Sequence, residues 1–309
     1  MAQGFGFGKT ILFGEHFVVY GLPGVACGFA QKTTATVEDS KRFEFIDNRP
    51  ETPGYKIKKK DEIQRQLDAL MKYFKIDVEK NPVRIVLSVD LSCASGVGAS
   101  AALAASIVRA LSQHLKLNLN DEQINDAAYL AEEAGSGTPS GIDNTCAVYG
   151  GFITFRKNLS GGKNDITQIK VKNPIEIVMA SSGITQTTKE VVADVRRLKG
   201  ENPEQYQRIF KDYERIFNQG LQAIKNADYK KLGALMDENQ KLLAEMTLTC
   251  PQVDEIIKTA KKAGAYGAKL TGTGRGGSVI ALTPGKELQG RVAEAIEKTG
   301  FKTIKTTVG

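Results

Sequence analysis

The stretch Ser92–Ser106, SCASGVGASAALAAS, constrains this chain more than any other. Just before it, Val83–Val89 (VRIVLSV) is β-branched and apolar, the composition of a strand. Just after its glycines, Ala101–Leu115 is rich in Ala and Leu and free of Gly and Pro, which predicts a helix. A strand, a glycine-bearing loop and a helix N-terminus in that order form a place for an anion. Gly96 and Gly98 let the backbone approach a ligand closely, and the first N–H groups of the helix have no partner within it. Ser100 is placed either to cap the helix or to hold a metal ion bound to phosphates. A plain turn feeding a core helix has the same composition, and the spacing alone leaves both readings open.

At 309 residues the chain is long enough for two domains, and its 41% hydrophobic and 25% charged content is that of a globular protein. No apolar run is as long as a membrane span. The start, MAQGFGFGKTILFGEH, lacks the basic region, apolar segment and cleavage site of a secretory signal, so a cytoplasmic protein is expected. Cys27, Cys93, Cys146 and Cys250 are too scattered for a metal site or a disulfide framework and read as reduced thiols. The formal charge of +7 raises the question of nucleic acid. The densest basic run, Lys56–Lys60, is broken by Ile57 and carries no interleaved aromatics. An anionic small molecule suits this balance better, and neither a nucleic-acid nor a membrane partner is expected.

Near the start, GFGFGKT (Gly4–Thr10) superficially resembles a P-loop. In G-x-x-x-x-G-K-T the first glycine would fall on Gln3, and no strand precedes it, so that reading is rejected. Strands are predicted at Lys9–Phe13, Val25–Phe29, Thr33–Glu38 and Phe43–Ile46. An amphipathic helix follows at Asp61–Phe74, with Ile63, Leu67, Leu70, Met71 and Phe74 on one face. Asn120–Gln123 has the pattern of a capping box opening a helix to about Ala134. The polar loop GSGTPSGIDN (Gly135–Asn144) leads to a strand at Phe152–Phe155, and Leu159–Asp165, a hairpin or linker, sets a boundary between domains 1–165 and 166–309. In the second half, strands are expected at Ile175–Ala180, around Lys269–Gly272 and Val279–Leu282, and at Lys302–Val308. Helices are expected at Thr187–Leu198, Glu204–Ile224, Tyr229–Met246, Val253–Ala263 and near Leu288–Lys298. The fold class is α+β in two domains.

Few residues here suit chemistry. Only two histidines exist: His114 reads as a surface residue, and His16, beside Glu15 at a strand end, as a ligand group. No second histidine lies near enough for a metal site, and no G-x-S-x-G elbow anchors a nucleophilic serine. Glu132 and Asp143 flank the polar loop, and each alone would read as an ordinary surface acid. KLTGTGRGGSVIAL (Lys269–Leu282) is a second glycine-rich loop, either a tight hairpin or a second wall around phosphates or substrate.

Four segments in order, GKTILFGEHFVVYGLPGVA (Gly8–Ala26), SCASGVGASAA (Ser92–Ala102), GTPSGIDNT (Gly137–Thr145) and GAKLTGTGRGGSVIAL (Gly267–Leu282), together resemble the GHMP small-molecule kinases. The form GEH-x-VVYG is similar to the members that phosphorylate mevalonate, whereas the family's sugar kinases resemble GEHTDYN there. The resemblance implies a two-domain α+β fold, with a ribosomal-protein-like, ATP-binding N-terminal domain and a ferredoxin-like C-terminal domain. It implies transfer of phosphate from ATP, with Mg²⁺, to the C5 hydroxyl of (R)-mevalonate in isoprenoid biosynthesis. Another GHMP kinase, acting on a sugar, homoserine or phosphomevalonate, is the alternative. By the same resemblance Asp143 orients or deprotonates the hydroxyl and Lys9 stabilises charge on the transferring group. Gly96, Val97, Gly98, Ala99, Ser100 and Ala101 cradle the nucleotide, and Ser100 and Glu132 hold the metal. His16, Thr187, Thr188, Gly272, Lys9, Asp143 and, less directly, Glu15 face the substrate. A homodimer and inhibition by prenyl diphosphates are implied as well. The sequence departs from the family pattern at Ser92, which replaces a proline, and at Ala99, which replaces the first serine of a pair. Ser136 stands where relatives carry His, and Thr273 and Arg275 enlarge the last loop.

Overall fold

A computed structural model of the protein describes residues 1–51, 54–89, 97–137, 139–162, 164–171, 173–184 and 186–309. In chain order the strands and helices are β1 (Ala2–Phe13), a 3-10 turn (Phe17–Tyr20), β2 (Gly24–Asp39), β3 (Glu44–Asp47), α1 (Tyr55–Tyr73), β4 (Val83–Val89), α2 (Ala99–His114), α3 (Asp121–Ser136) and α4 (Ile142–Tyr149). There follow β5 (Phe152–Arg156), β6 (Asp165–Ile169), β7 (Ile175–Ser181), α5 (Thr188–Glu201), α6 (Pro203–Lys225), α7 (Tyr229–Glu245), α8 (Pro251–Lys262), β8 (Gly267–Thr271), β9 (Ser278–Leu282), α9 (Lys286–Glu297) and β10 (Lys302–Val308). Two compact units divide the chain, and neither is contiguous. One is Met1–Lys9 with Gly28–Gly150, the other Thr10–Cys27 with Gly151–Gly309.

In the first unit β2 pairs antiparallel with β4 over Thr33–Asp39, and β4 pairs parallel with β3. The core joins Ala35 and Val37 of β2, Ile85 and Leu87 of β4, Leu67 and Leu70 of α1, and the alanine-rich face of α2. Helix α3 adds Ile124, Ala127, Ala128 and Ala131 to it. The small side chains of α2 let its neighbours approach closely. On β1, Gly4 and Gly6 face that helix: a Cβ at Gly6 would lie 2.3 Å from the Ala102 carbonyl oxygen, and one at Gly4 2.3 Å from that of Ser106. The segment that mimicked a P-loop is therefore strand, running from Ala2 rather than from Lys9, and its glycines serve packing. Its alternate residues Phe5 and Phe7 face outward, where the Lys32 ammonium lies 4.5 and 4.9 Å from their ring centres.

In the second unit β10, β7, β9 and β8 are neighbours in that order, all antiparallel. With α7 and α8 preceding β8 and α9 preceding β10, and all three packed against these strands, this is the βαββαβ arrangement of a ferredoxin-like domain. The amphipathic stripes of the long helices are core: Ile209, Tyr213, Ile216, Leu235, Met236 and Leu243 are all buried. Strand β5 pairs with Gly24–Cys27 of β2 and antiparallel with β6, which starts at Asp165, so of the two readings of Leu159–Asp165 the hairpin holds. Two strands expected within Val25–Glu38 are the single strand β2, because Ala30–Lys32 holds no residue that breaks extended backbone.

Candidate active site

Lys9 lies on β1, where its backbone N–H donates to the Val97 carbonyl at 2.9 Å. Gly98 follows in the left-handed region (φ 71°), and a Cβ there would sit 3.0 Å from Lys9 Cβ, so only glycine lets strand and loop meet this closely. Gly98 stands just ahead of α2, and Val97, Ala99 and Ala101 are buried around it. Gly96 and Ser92 lie outside the described residues. Asp143 belongs to the first turn of α4, not to a loop. Gly141, at φ 87°, opens that helix, and the Thr145 hydroxyl donates to the Gly141 carbonyl at 2.7 Å. This turn carries the Asp143 carboxylate to 2.7 Å from Lys9 Nζ, with the two side chains 40% and 8% exposed. Burial pulls the Lys9 ammonium down, but the adjacent Asp143 charge and hydrogen bond, with Cys146 and Glu132 adding, more than offset it, and its pKa is raised. Lys9 is therefore a cation at neutral pH.

The Ser100 hydroxyl does not cap α2. It donates to Glu132 Oε1 at 2.7 Å, bringing together two residues distant in sequence, one from each of α2 and α3. Gln66 of α1 joins them, its amide nitrogen donating to Ser100 Oγ at 2.7 Å and to Glu132 Oε1 at 2.6 Å. Burial pushes the Glu132 carboxyl up to about 7; the Ser100 and Gln66 hydrogen bonds oppose this, and the Asp143 charge adds to it. Beside them, the buried Arg49 is held by both oxygens of Asp47 and donates to the Ala99 carbonyl at 2.8 Å, tying the end of β3 to the first residue of α2.

In the second unit the Glu15 carboxylate is fully enclosed against the Lys269 ammonium of β8. Burial pushes the carboxyl up and the ammonium down, each partner opposing the other's shift. Glu15 thus braces the turn that presents His16. His16 Nε2 donates to the Thr273 carbonyl at 2.7 Å, which leaves Nδ1 as the acceptor of a neutral ring, without a hydrogen-bond partner among the described residues. Burial lowers its pKa, the Thr273 carbonyl opposes this, and the Arg275 charge adds to the lowering, so the ring is neutral at pH 7. Phe17, next along the turn, stacks on Tyr213 with ring centres 3.7 Å apart, and the Tyr213 hydroxyl donates to the Pro23 carbonyl. Thr188, opening α5, has its hydroxyl 2.7 Å from that of Thr273, while Thr187 precedes the helix exposed and makes no capping bond. Gly272 (φ 89°) and Gly274 (φ 82°) shape the glycine loop. Arg275, left-handed at φ 54°, donates to the Thr247 carbonyl and hydroxyl and pairs with Asp194 of α5.

Gln66, Lys269 and Arg49 were missed by the sequence reading. The clearest signal was a polar residue at a core position: Gln66 lies three residues after Ile63 and four before Leu70, on the apolar face of α1. Among the described residues no group of three or more His, Cys, Asp and Glu stands ready for a metal. Ser100 and Glu132 supply two oxygens, one on a carboxyl that burial pushes up to about 7. That donor set fits a hard cation completed by phosphate oxygens, as Mg²⁺ commonly is.

Two family descriptions match: GHMP kinases N terminal domain over residues 61–151, and GHMP kinases C terminal over residues 221–302. Mevalonate kinase of Pyrococcus abyssi is 32% identical over 97% of this chain and 93% of its own, and that of Thermococcus gammatolerans 33% over 97% and 94%. The crystal structure of L. major mevalonate kinase in complex with R-mevalonate superposes with a TM-score of 0.94 at 33% identity, covering 100% of this chain and 96% of that one. Mevalonate kinase of Methanococcus jannaschii, at 22% identity and a TM-score of 0.82, shares the fold. With both domain signatures, the strand–loop–helix at Gly98 and full-length relatives above 30% identity, this chain belongs to the GHMP kinase family.

Proposed function

We propose that the protein transfers the γ-phosphoryl group of ATP to the C5 hydroxyl of (R)-mevalonate, producing 5-phosphomevalonate. The observation that carries this reading is the Lys9–Asp143 ion pair beside Gly98, in a chain that resembles a mevalonate-bound kinase along its whole length. The raised pKa of Lys9 keeps it an ammonium, which makes it unsuited to accept a proton and well suited to stabilise charge on the transferring group. Asp143, partly open to solvent, is then the group that orients the hydroxyl and takes its proton. Backbone N–H groups from Val97 to Ala101 at the start of α2 cradle the phosphates, with Gly96 assigned on the resemblance alone. Ser100 and Glu132 would hold Mg²⁺, which when bound neutralises phosphate charge. On the substrate side, the unpartnered His16 Nδ1 offers an acceptor, with Thr187, Thr188 and Gly272 alongside and Glu15 in support.

The division into domains 1–165 and 166–309 and a cytoplasmic location are carried as readings of the sequence, a homodimer and inhibition by prenyl diphosphates as readings of the resemblance. A panel of alcohols tests the function: with ATP and Mg²⁺, mevalonate should be turned over well ahead of galactose, homoserine and phosphomevalonate. Faster turnover of any of these would move the assignment to another branch of the family.

A further inference from the structure

We infer that Gln66 is a positioning residue for the cation site, presenting Ser100 and Glu132 as a pair; this rests on the magnesium reading above. Gln66 is wholly buried, and its amide is held only through its donor end. Its Oε1 is enclosed and makes no hydrogen bond among the described residues. A buried acceptor left unpaired is destabilising, so an apolar side chain of similar size would serve packing better. What the amide supplies is two N–H groups, one on each of the proposed ligand oxygens. Held by Ser100 and Gln66, Glu132 Oε1 is fixed in orientation before a cation arrives.

The surroundings keep the amide in place. Arg65, its neighbour on α1, donates to the Ala134 and Gly135 carbonyls at 3.0 and 2.7 Å, clamping α1 against the end of α3. Gly135 leaves room for the amide: a Cβ there would lie 2.9 Å from Gln66 Cγ and 3.1 Å from its Nε2. Partners of this kind around a metal ligand typically govern affinity by a factor of about 10–100.

The test is Mn²⁺ binding, followed by electron paramagnetic resonance, to the full-length enzyme carrying the non-hydrolysable nucleotide AMPPNP. Gln66→Met should weaken Mn²⁺ binding about 10–100-fold. Its affinity for the nucleotide in EDTA should be unchanged, and kcat should recover at saturating Mg²⁺. A merely structural role would lower kcat without recovery. Glu132→Gln serves as the reference. If it weakens Mn²⁺ binding and Gln66→Met does not, the inference is overturned while the magnesium reading stands. If Glu132→Gln leaves Mn²⁺ binding intact, both fall. Should Gln66→Met fail to fold by circular dichroism, Gly135→Ala, which crowds the amide without removing it, carries the test. Mn²⁺ affinity at the wild-type level in that variant would also overturn the inference.

Discussion

At the scale of single residues, charge placement separates the roles. Lys9 and Asp143 are 2.7 Å apart, and the raised pKa of Lys9 keeps it an ammonium, unable to accept a proton. Asp143→Asn keeps the shape and removes the proposed base, and the expected loss in kcat is about 10²–10⁴-fold with ATP affinity retained. Single-turnover kinetics beside nucleotide titration measure both, and near-normal turnover would leave Lys9 and the metal as the main catalysts. Glu132 makes a second, pH-dependent prediction. Its folded pKa is about 7 against 4.5 ordinarily, so the stability it contributes is present below about 4.5 and lost as pH rises through about 7. A cation binds only the deprotonated carboxylate. Binding of Mg²⁺ with nucleotide at pH 6 should therefore release up to about one proton more in the wild type than in Glu132→Gln, a difference that vanishes by pH 9. Calorimetry in buffers of different ionisation enthalpy reads this directly, and equal proton release in both proteins at pH 6 would remove Glu132 from the metal.

At the scale of elements, glycine and alanine decide how closely strand and helix approach. Strand β1 reaches Lys9 because Gly4 and Gly6 lie against the backbone of α2, whose facing residues Ala102 and Ser106 are small. Overfilling such a contact forces backbone to move, at a cost of about 1–3 kcal/mol or more. Gly6→Ala should lower the urea midpoint accordingly and reduce kcat as well, since Lys9 is carried on the same strand. An unchanged midpoint would mean that the strand–helix contact has slack. The same rule explains why α4 was hidden in the sequence. Its start, Ser140–Gly141, looks like loop, and Ile142–Tyr149 is short and contains β-branched and aromatic residues that weigh against a helix. The left-handed Gly141 is what converts the loop into a helix start and aims Asp143 at Lys9.

At the scale of the whole chain, much could be read without coordinates. The long amphipathic helices α6 and α7, the capping box of α3 and the alternation of strand and helix after Ile175 follow from local composition and periodicity, and the four segments from their resemblance to the family. Lys9, Ser100 and Asp143 are candidates because each sits in one of those segments, and Glu132 because it lies eleven positions before Asp143. Hidden from that reading were the compact units, which cross the chain at Lys9, Cys27 and Gly150 without any change in composition. Hidden too were partners whose meaning comes only from a neighbour distant in sequence. Gln66 is an ordinary helix residue until α1, α2 and α3 meet, and Lys269 an ordinary strand residue until Glu15 is buried against it. The sequence by itself determined most of the elements and the chemical types at the site, because propensity, periodicity and glycine conformation act over a few residues. Tertiary structure alone decided which carboxylate meets which cation and which amide holds which ligand, because burial and charge pairing depend on distance in space and not along the chain.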